Sequence, residues 1–184
     1  MDIMIDIETM GARPNAAVAS LGAVAFNSQT INTPDTIPES QRFYARLDLA
    51  QQNHRHYDGE TIYWWLEQEE AARKALIVNN HALGLKTVLE EFVAWVKTHH
   101  NIYKDCVWCY GATFDHVILR TLFRDLGVIY PFIYRRELCM RTVVRLVPDV
   151  QCPQLPDLVG HNAVDDALRQ AIWLQHCLKE LQTY

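Results

Sequence analysis

The stretch Asp6-Ile7-Glu8-Thr9-Met10-Gly11 decides how this chain is read. It continues a run in which Ile3, Ile5 and Ile7 take every second position, the pattern of a buried strand. Side chains two apart on a strand share a face, so Asp6 and Glu8 point the same way, roughly 7 Å apart at the backbone. Two carboxylates at the end of a core strand repel each other and are costly to desolvate unless a cation lies between them. Hard divalent metals, which take oxygen ligands, suit that spacing. For an Asp-x-Glu taken alone, an exposed acidic strand end is the ordinary alternative. Motifs further along the chain decide between the two.

A chain of 184 residues is expected to form one domain over 1–184 with a sizeable core. Hydrophobic content of 49%, with five Trp and eight Tyr, indicates a globular fold and not a disordered chain. A net charge of −5 excludes a basic protein that coats nucleic acid. It does not exclude nucleic acid as a substrate, because bound divalent ions reverse the local sign. No apolar run reaches membrane-spanning length and no signal peptide is recognisable. Cys106, Cys109, Cys139, Cys152 and Cys177 have no disulfide-framework spacing, and no second pair completes a zinc site with Cys106 and Cys109. They read as buried free thiols of a cytoplasmic protein.

Taken in order, Ala17 to Phe26 reads as a second strand, Asn27 to Gln41 as a loop with Pro34 and Pro38, and Phe43 to Leu49 as a half-exposed third strand. Strands joined this closely predict an antiparallel meander. Helices are expected over Glu60 to Leu76, from Leu85 to about His99, and from Ile118 to Leu126, where Gly127 stops the last of these. Cys106 to Tyr110 reads as a strand between them. Pro131 to Tyr134 is expected as a short edge strand, Cys139 to Leu146 as a short helix, and a final helix begins near Ala163. Strands first, then alternating helices and strands, predict an α/β fold: a mixed sheet of three antiparallel strands followed by parallel ones, with helices on both faces.

Two further acidic signals follow. Asp115, in Gly111-Ala112-Thr113-Phe114-Asp115-His116, falls where a strand meets a helix, a place where ligands of such sheets collect; its plain role would be a helix N-cap. In Gly160-His161-Asn162-Ala163-Val164-Asp165-Asp166-Ala167 the two acids separate on physical grounds. With Asn162 as N-cap, Asp165 takes the third helical position and answers free backbone N–H groups. Asp166 lies about 100° further round, free to face a site. His161 precedes the cap on a loop containing Pro153, Pro156 and Gly160.

Together, Asp6-x-Glu8, Asp115, and His161 ahead of Asp166 resemble the signature of the DEDDh, DnaQ-like 3′–5′ exonucleases. D-I-E-T-M-G is similar to their first motif, F-D within G-A-T-F-D to the second, and H-N-A-V-D-D-A to the third. Among them the chain looks most like phage and prophage exonucleases of the DexA type, some called exodeoxyribonuclease VIII-like, and mycobacterial-type exoribonucleases. Gly111-Ala112 departs from the His-Asn that many relatives place before Phe-Asp.

The resemblance implies a ribonuclease-H-like fold and two Mg²⁺ or Mn²⁺ ions about 3.5–4 Å apart, which activate water and stabilise the leaving oxygen. It makes Asp6 the bridging ligand, Glu8 and Asp166 its partners around the nucleophilic water, and Asp115 a ligand of the second ion. His161 becomes the general base, a role imidazoles commonly take in proton transfer. His116 and His176 match no such position, and His116 is expected on the exposed side of its helix.

The resemblance also implies substrate-binding roles for Thr9 and Met10 at the terminal nucleotide and for Phe114 beside a ligand, and Trp65 is a further candidate; for Phe114 and Trp65 core packing is the alternative. Ile62, Trp65 and Leu66 form the expected core set of their helix, with Trp64 off-centre. Arg135, Arg136, Arg141 and Arg145 make the densest basic run, either a phosphate contact, a partner contact or a solvated face. The expected partner is the 3′ end of single-stranded DNA or RNA, with no membrane, and a homodimer is open, with Tyr63-Trp64-Trp65 as one contact surface. Competing readings are a non-catalytic nucleic-acid-binding module on the same fold and a small-molecule phosphodiesterase.

Overall fold

A computed structural model describes residues 1–76 and 84–182. Five strands form one sheet: β1 (Asp2–Thr9), β2 (Val18–Phe26), β3 (Arg42–Arg46), β4 (Val107–Cys109) and β5 (Glu137–Cys139), in the order β3-β2-β1-β4-β5. β1, β2 and β3 pair antiparallel, and β4 and β5 add in parallel on the other side of β1. The helices are α1 (Gly59–Glu67), α2 (Glu70–Ala75), α3 (Leu85–His99), α4 (Asp115–Asp125), α5 (Met140–Leu146) and α6 (Ala163–Leu181). This is the ribonuclease-H-like mixed sheet, flanked by helices on both faces.

The alternation of β1 assigns the faces. Ile3, Ile5 and Ile7 pack with Leu89 and Phe92 of α3 and Ile118, Leu119 and Leu122 of α4. Met4 packs the other way, with Met140 of α5 and Ala167, Leu168 and Ala171 of α6. Asp6 and Glu8 continue the face of Met4, so both carboxylates emerge on the α6 side.

Gly22 makes that approach possible. It lies opposite Asp6 in the β1–β2 ladder. A Cβ there would fall 2.1 Å from the carbonyl carbon of Ala163, so only hydrogen fits between β2 and the first turn of α6. The Asn162 side chain caps that turn by accepting from the Val164 N–H at 3.2 Å, as the sequence predicts.

Four readings need correction. The helix expected over Glu60 to Leu76 is two, broken at Gln68 and Glu69. Pro131 to Tyr134 forms no strand. Pro131 has no N–H for a ladder, Phe132 is a buried plug in the core, and the edge strand begins at Glu137. His116 is buried, not exposed: it precedes Leu119 and Phe123 by three and seven residues, which puts it on the apolar stripe of α4. Of Ile62, Trp65 and Leu66 only Trp65 is buried, where it packs with Met10, Ala17, Ala19 and Ala72.

Candidate functional site

Asp6, Glu8, Asp115, His161 and Asp166 all line one cavity of about 240 Å³, with Gln170, Arg141 and Phe114 among their neighbours. Asp6 and Glu8 come from the end of β1, Asp115 opens α4, and Asp166 is on the first turn of α6. Ligand atoms of Glu8, His161 and Asp166 lie within 4.8 Å of one another, a candidate three-residue metal cluster. Asp165 does not line the cavity; its carboxylate accepts the Val159 N–H at 3.0 Å and holds the loop ahead of α6.

Burial and mutual repulsion govern the electrostatics of this corner. Burial, then the charges of Asp115, Glu8 and Asp166, push the Asp6 carboxyl well above its ordinary range. Burial, then Asp166 and Asp115, raise Glu8 to about 8. Burial raises Asp115 to about 6 against the backbone N–H groups that stabilise its charge. Asp166 is also raised by burial, opposed by Arg169 and the His161 N–H. Such a set is stabilised by positive charge placed among the oxygens, and its all-oxygen acids fit hard divalent ions.

Protein donors offset part of the repulsion. The Gln170 amide donates to Asp6 Oδ1 at 2.8 Å, while its own Oε1 is buried with no partner. Asp166 pairs with Arg169 through Oδ1 and accepts the His161 N–H at Oδ2 at 2.8 Å. Glu8 accepts nothing among the described hydrogen bonds. Gln170 and Arg169 went unread in the sequence, although the signal was there: four and three residues after Asp166, both lie on its side of the helix. Gly22 also went unread, although a glycine inside an apolar strand marks a close backbone approach.

His161 stands differently. Its φ of 59° is in the left-handed region, which a side chain with a Cβ rarely adopts. Its ring meets the edge of Trp64, with centroids 4.9 Å apart and planes at 83°, and lies 6.1 Å from Trp65. Next to the acids is a second cavity of about 210 Å³, lined by Thr9, Gly11, Thr61, Trp64, Trp65 and Phe114 and sharing Ile7, Glu8 and Phe114 with the first. Trp65 donates its indole N–H to the Thr9 carbonyl at 3.0 Å, and the Thr9 hydroxyl donates to the Gly11 carbonyl at 2.8 Å. Met10 lines neither cavity and packs behind them against Trp65.

Comparison with known proteins bears on the family and the fold. Residues 1–178 match the family model of the 3′–5′ exoribonuclease Rv2179c-like domain. An exodeoxyribonuclease of Enterobacteria phage T4 is 29% identical over 203 residues, covering 97% of this chain and 89% of that one. Among solved structures, cell-death related nuclease 4 superposes with a TM-score of 0.66 at 16% identity; the match covers 97% of this chain but only 64% of that one. The nuclease domain of 3′hExo, a DEDDh family member bound to rAMP, gives 0.63 at 14% identity over 97% of this chain and 92% of that one. At such identities the structures speak for the fold. No described helix is long and apolar enough to cross a membrane.

Proposed function

The chain belongs to the Rv2179c-like 3′–5′ exoribonuclease domain family, and from that premise we propose that it is a metal-dependent 3′–5′ exonuclease of single-stranded nucleic acid, releasing nucleoside 5′-monophosphates. One observation carries the reading: four acids from three separate elements crowd one cavity, with His161 at its edge. A binding module has no use for desolvated carboxylates that raise one another's pKa.

Asp6, Glu8, Asp115 and Asp166 would hold two divalent ions, Mg²⁺ or Mn²⁺. Ions bound there supply an activated water and neutralise charge on the leaving oxygen. His161 takes the proton of the attacking water, and the edge of Trp64 keeps its ring over the acids. The terminal base enters the neighbouring cavity, where Phe114 and Trp64 offer stacking surfaces and Trp65 fixes the Thr9 backbone. Trp65 is thus a support for the pocket more than a stacking ring.

The test is a 5′-labelled oligonucleotide, made as DNA and as RNA of one sequence, incubated with Mg²⁺ or Mn²⁺. The expected product is a ladder shortened one nucleotide at a time from the 3′ end, absent with Asp6→Ala and His161→Ala. Wild type that releases nothing beyond those variants overturns the proposal. The same ladders tell which sugar is preferred, a choice that rests on contact with one 2′-OH.

A further inference from the structure

We infer that Arg141 is a substrate-binding residue that grips a backbone phosphate of the strand in the acidic cavity, and that Gly111 is the residue that admits it. The inference rests on the nuclease reading above for the identity of the ligand, and on separate observations for the residue.

Among the described residues, Arg141 is the only Lys or Arg lining the cavity that holds Asp6, Glu8, Asp115 and Asp166. An exposed guanidinium beside acids ordinarily pairs with one of them, and Arg169 does so with Asp166. Arg141 pairs with none of the described carboxylates within 4.0 Å. Its guanidinium lies over the Tyr110 ring instead, 5.2 Å from the centroid. A cation–π contact fixes where the charge lies and leaves its N–H fork unspent.

The backbone has been cleared for it. A Cβ on Gly111 would sit 3.1 Å from Arg141 Nη2 and 3.9 Å from an Asp115 carboxylate oxygen. Gly111 is buried and has no positive φ to explain it. A Cβ there would press on the Arg141 fork and shift it by a few tenths of an ångström, while only touching Asp115. α5 supplies the other half of the placement: it follows β5 directly, and the Arg141 N–H donates to the Tyr110 carbonyl at 3.2 Å, tying the helix to the end of β4.

A ligand that enters here must carry negative charge to engage Arg141 and must also lie against acids. A phosphodiester meets both conditions once cations lie among the acids, and a planar fork suits its two free oxygens. Arg141 lines the acidic cavity and not the aromatic one beside it, so it reads the backbone and not the terminal base.

The experiment compares wild type, Arg141→Ala, Arg141→Lys and Gly111→Ala on a labelled single strand across a KCl series, both by nucleotide release with Mg²⁺ and by equilibrium anisotropy with Ca²⁺. Arg141→Ala should weaken binding and raise KM about tenfold, with kcat nearly unchanged, and should flatten the plot of log affinity against log salt by about 0.7, the share of one phosphate on a single strand. Arg141→Lys should keep the salt slope and recover part of the affinity, and Gly111→Ala should fall between. Arg141→Ala with wild-type affinity and slope would overturn the assignment. Should wild type bind the strand without cleaving it, the nuclease reading fails by itself, and the anisotropy arm still decides whether Arg141 holds phosphate.

Discussion

Asp6 and Glu8 end a strand whose neighbours in sequence are buried, whereas His161 stands exposed on a loop, its backbone at a φ of 59° and its ring against Trp64. The acids are fixed by the sheet and by the close seating of α6 on Gly22, at the cost of desolvation that raises their pKa values. The histidine is fixed by a backbone hydrogen bond to Asp166 and by ring contacts with Trp64 and Trp65. The acids sit at the ends of a strand and two helices, and the proposed proton acceptor on the loop ahead of α6, the kind of element that opens and closes in enzymes. Changes around the acids should therefore move stability, and changes at His161 should move activity with little effect on stability.

The largest effect is expected at Gly22. Its Cβ would overlap the Ala163 backbone, so Gly22→Ala should cost about 3 kcal/mol in urea unfolding and lift Asp166 away from Asp6. A variant as stable as wild type would mean that α6 is not seated as described. Next comes Asp6→Asn, which should lower nucleotide release at least about 100-fold while raising the melting temperature of the metal-free protein, since it replaces an acid whose charged form is disfavoured by burial and by three neighbouring carboxylates. Melting curves in EDTA check the second half.

His161→Ala sharpens the contrast. Release should fall about 10²- to 10⁴-fold, but stability should shift by no more than about 0.5 kcal/mol, because the side chain is exposed. His161→Gly should relieve the positive φ and be at least as stable.

How far this was legible in the sequence follows the same division. The Ile3-Ile5-Ile7 alternation carried the face of Asp6 and Glu8, and the Asn162 cap carried the separation of Asp165 from Asp166. Both are local rules. The seat of α6 on Gly22, the Gln170–Asp6 hydrogen bond and the Trp64–His161 contact join residues far apart along the chain, and no local periodicity reports them. His116 was misread for another reason: a polar residue on an apolar stripe was assigned by its type and not by its position.

A smaller effect is expected from pH. Glu8 has its pKa raised by the fold from 4.5 to about 8, so over that interval the folded chain keeps a proton that the unfolded chain has lost. Metal-free stability should be greatest below that window and fall as pH rises through it; Asp6 and Asp115 act in the same sense. Glu8→Gln should flatten the slope seen in melting temperatures across the window, and Mg²⁺ should flatten it in wild type. Smallest of all, Trp64→Ala should raise KM by roughly 5- to 100-fold, the worth of one stacked base, with the acids undisturbed.

The most direct measurement is a Mn²⁺ titration of the folded chain at pH 8, read by calorimetry or by the loss of free-ion electron resonance, for wild type and for Asp6→Asn. The account predicts two ions per chain in wild type and a loss of both stoichiometry and affinity in Asp6→Asn. A folded wild type that binds no more Mn²⁺ than Asp6→Asn would contradict it.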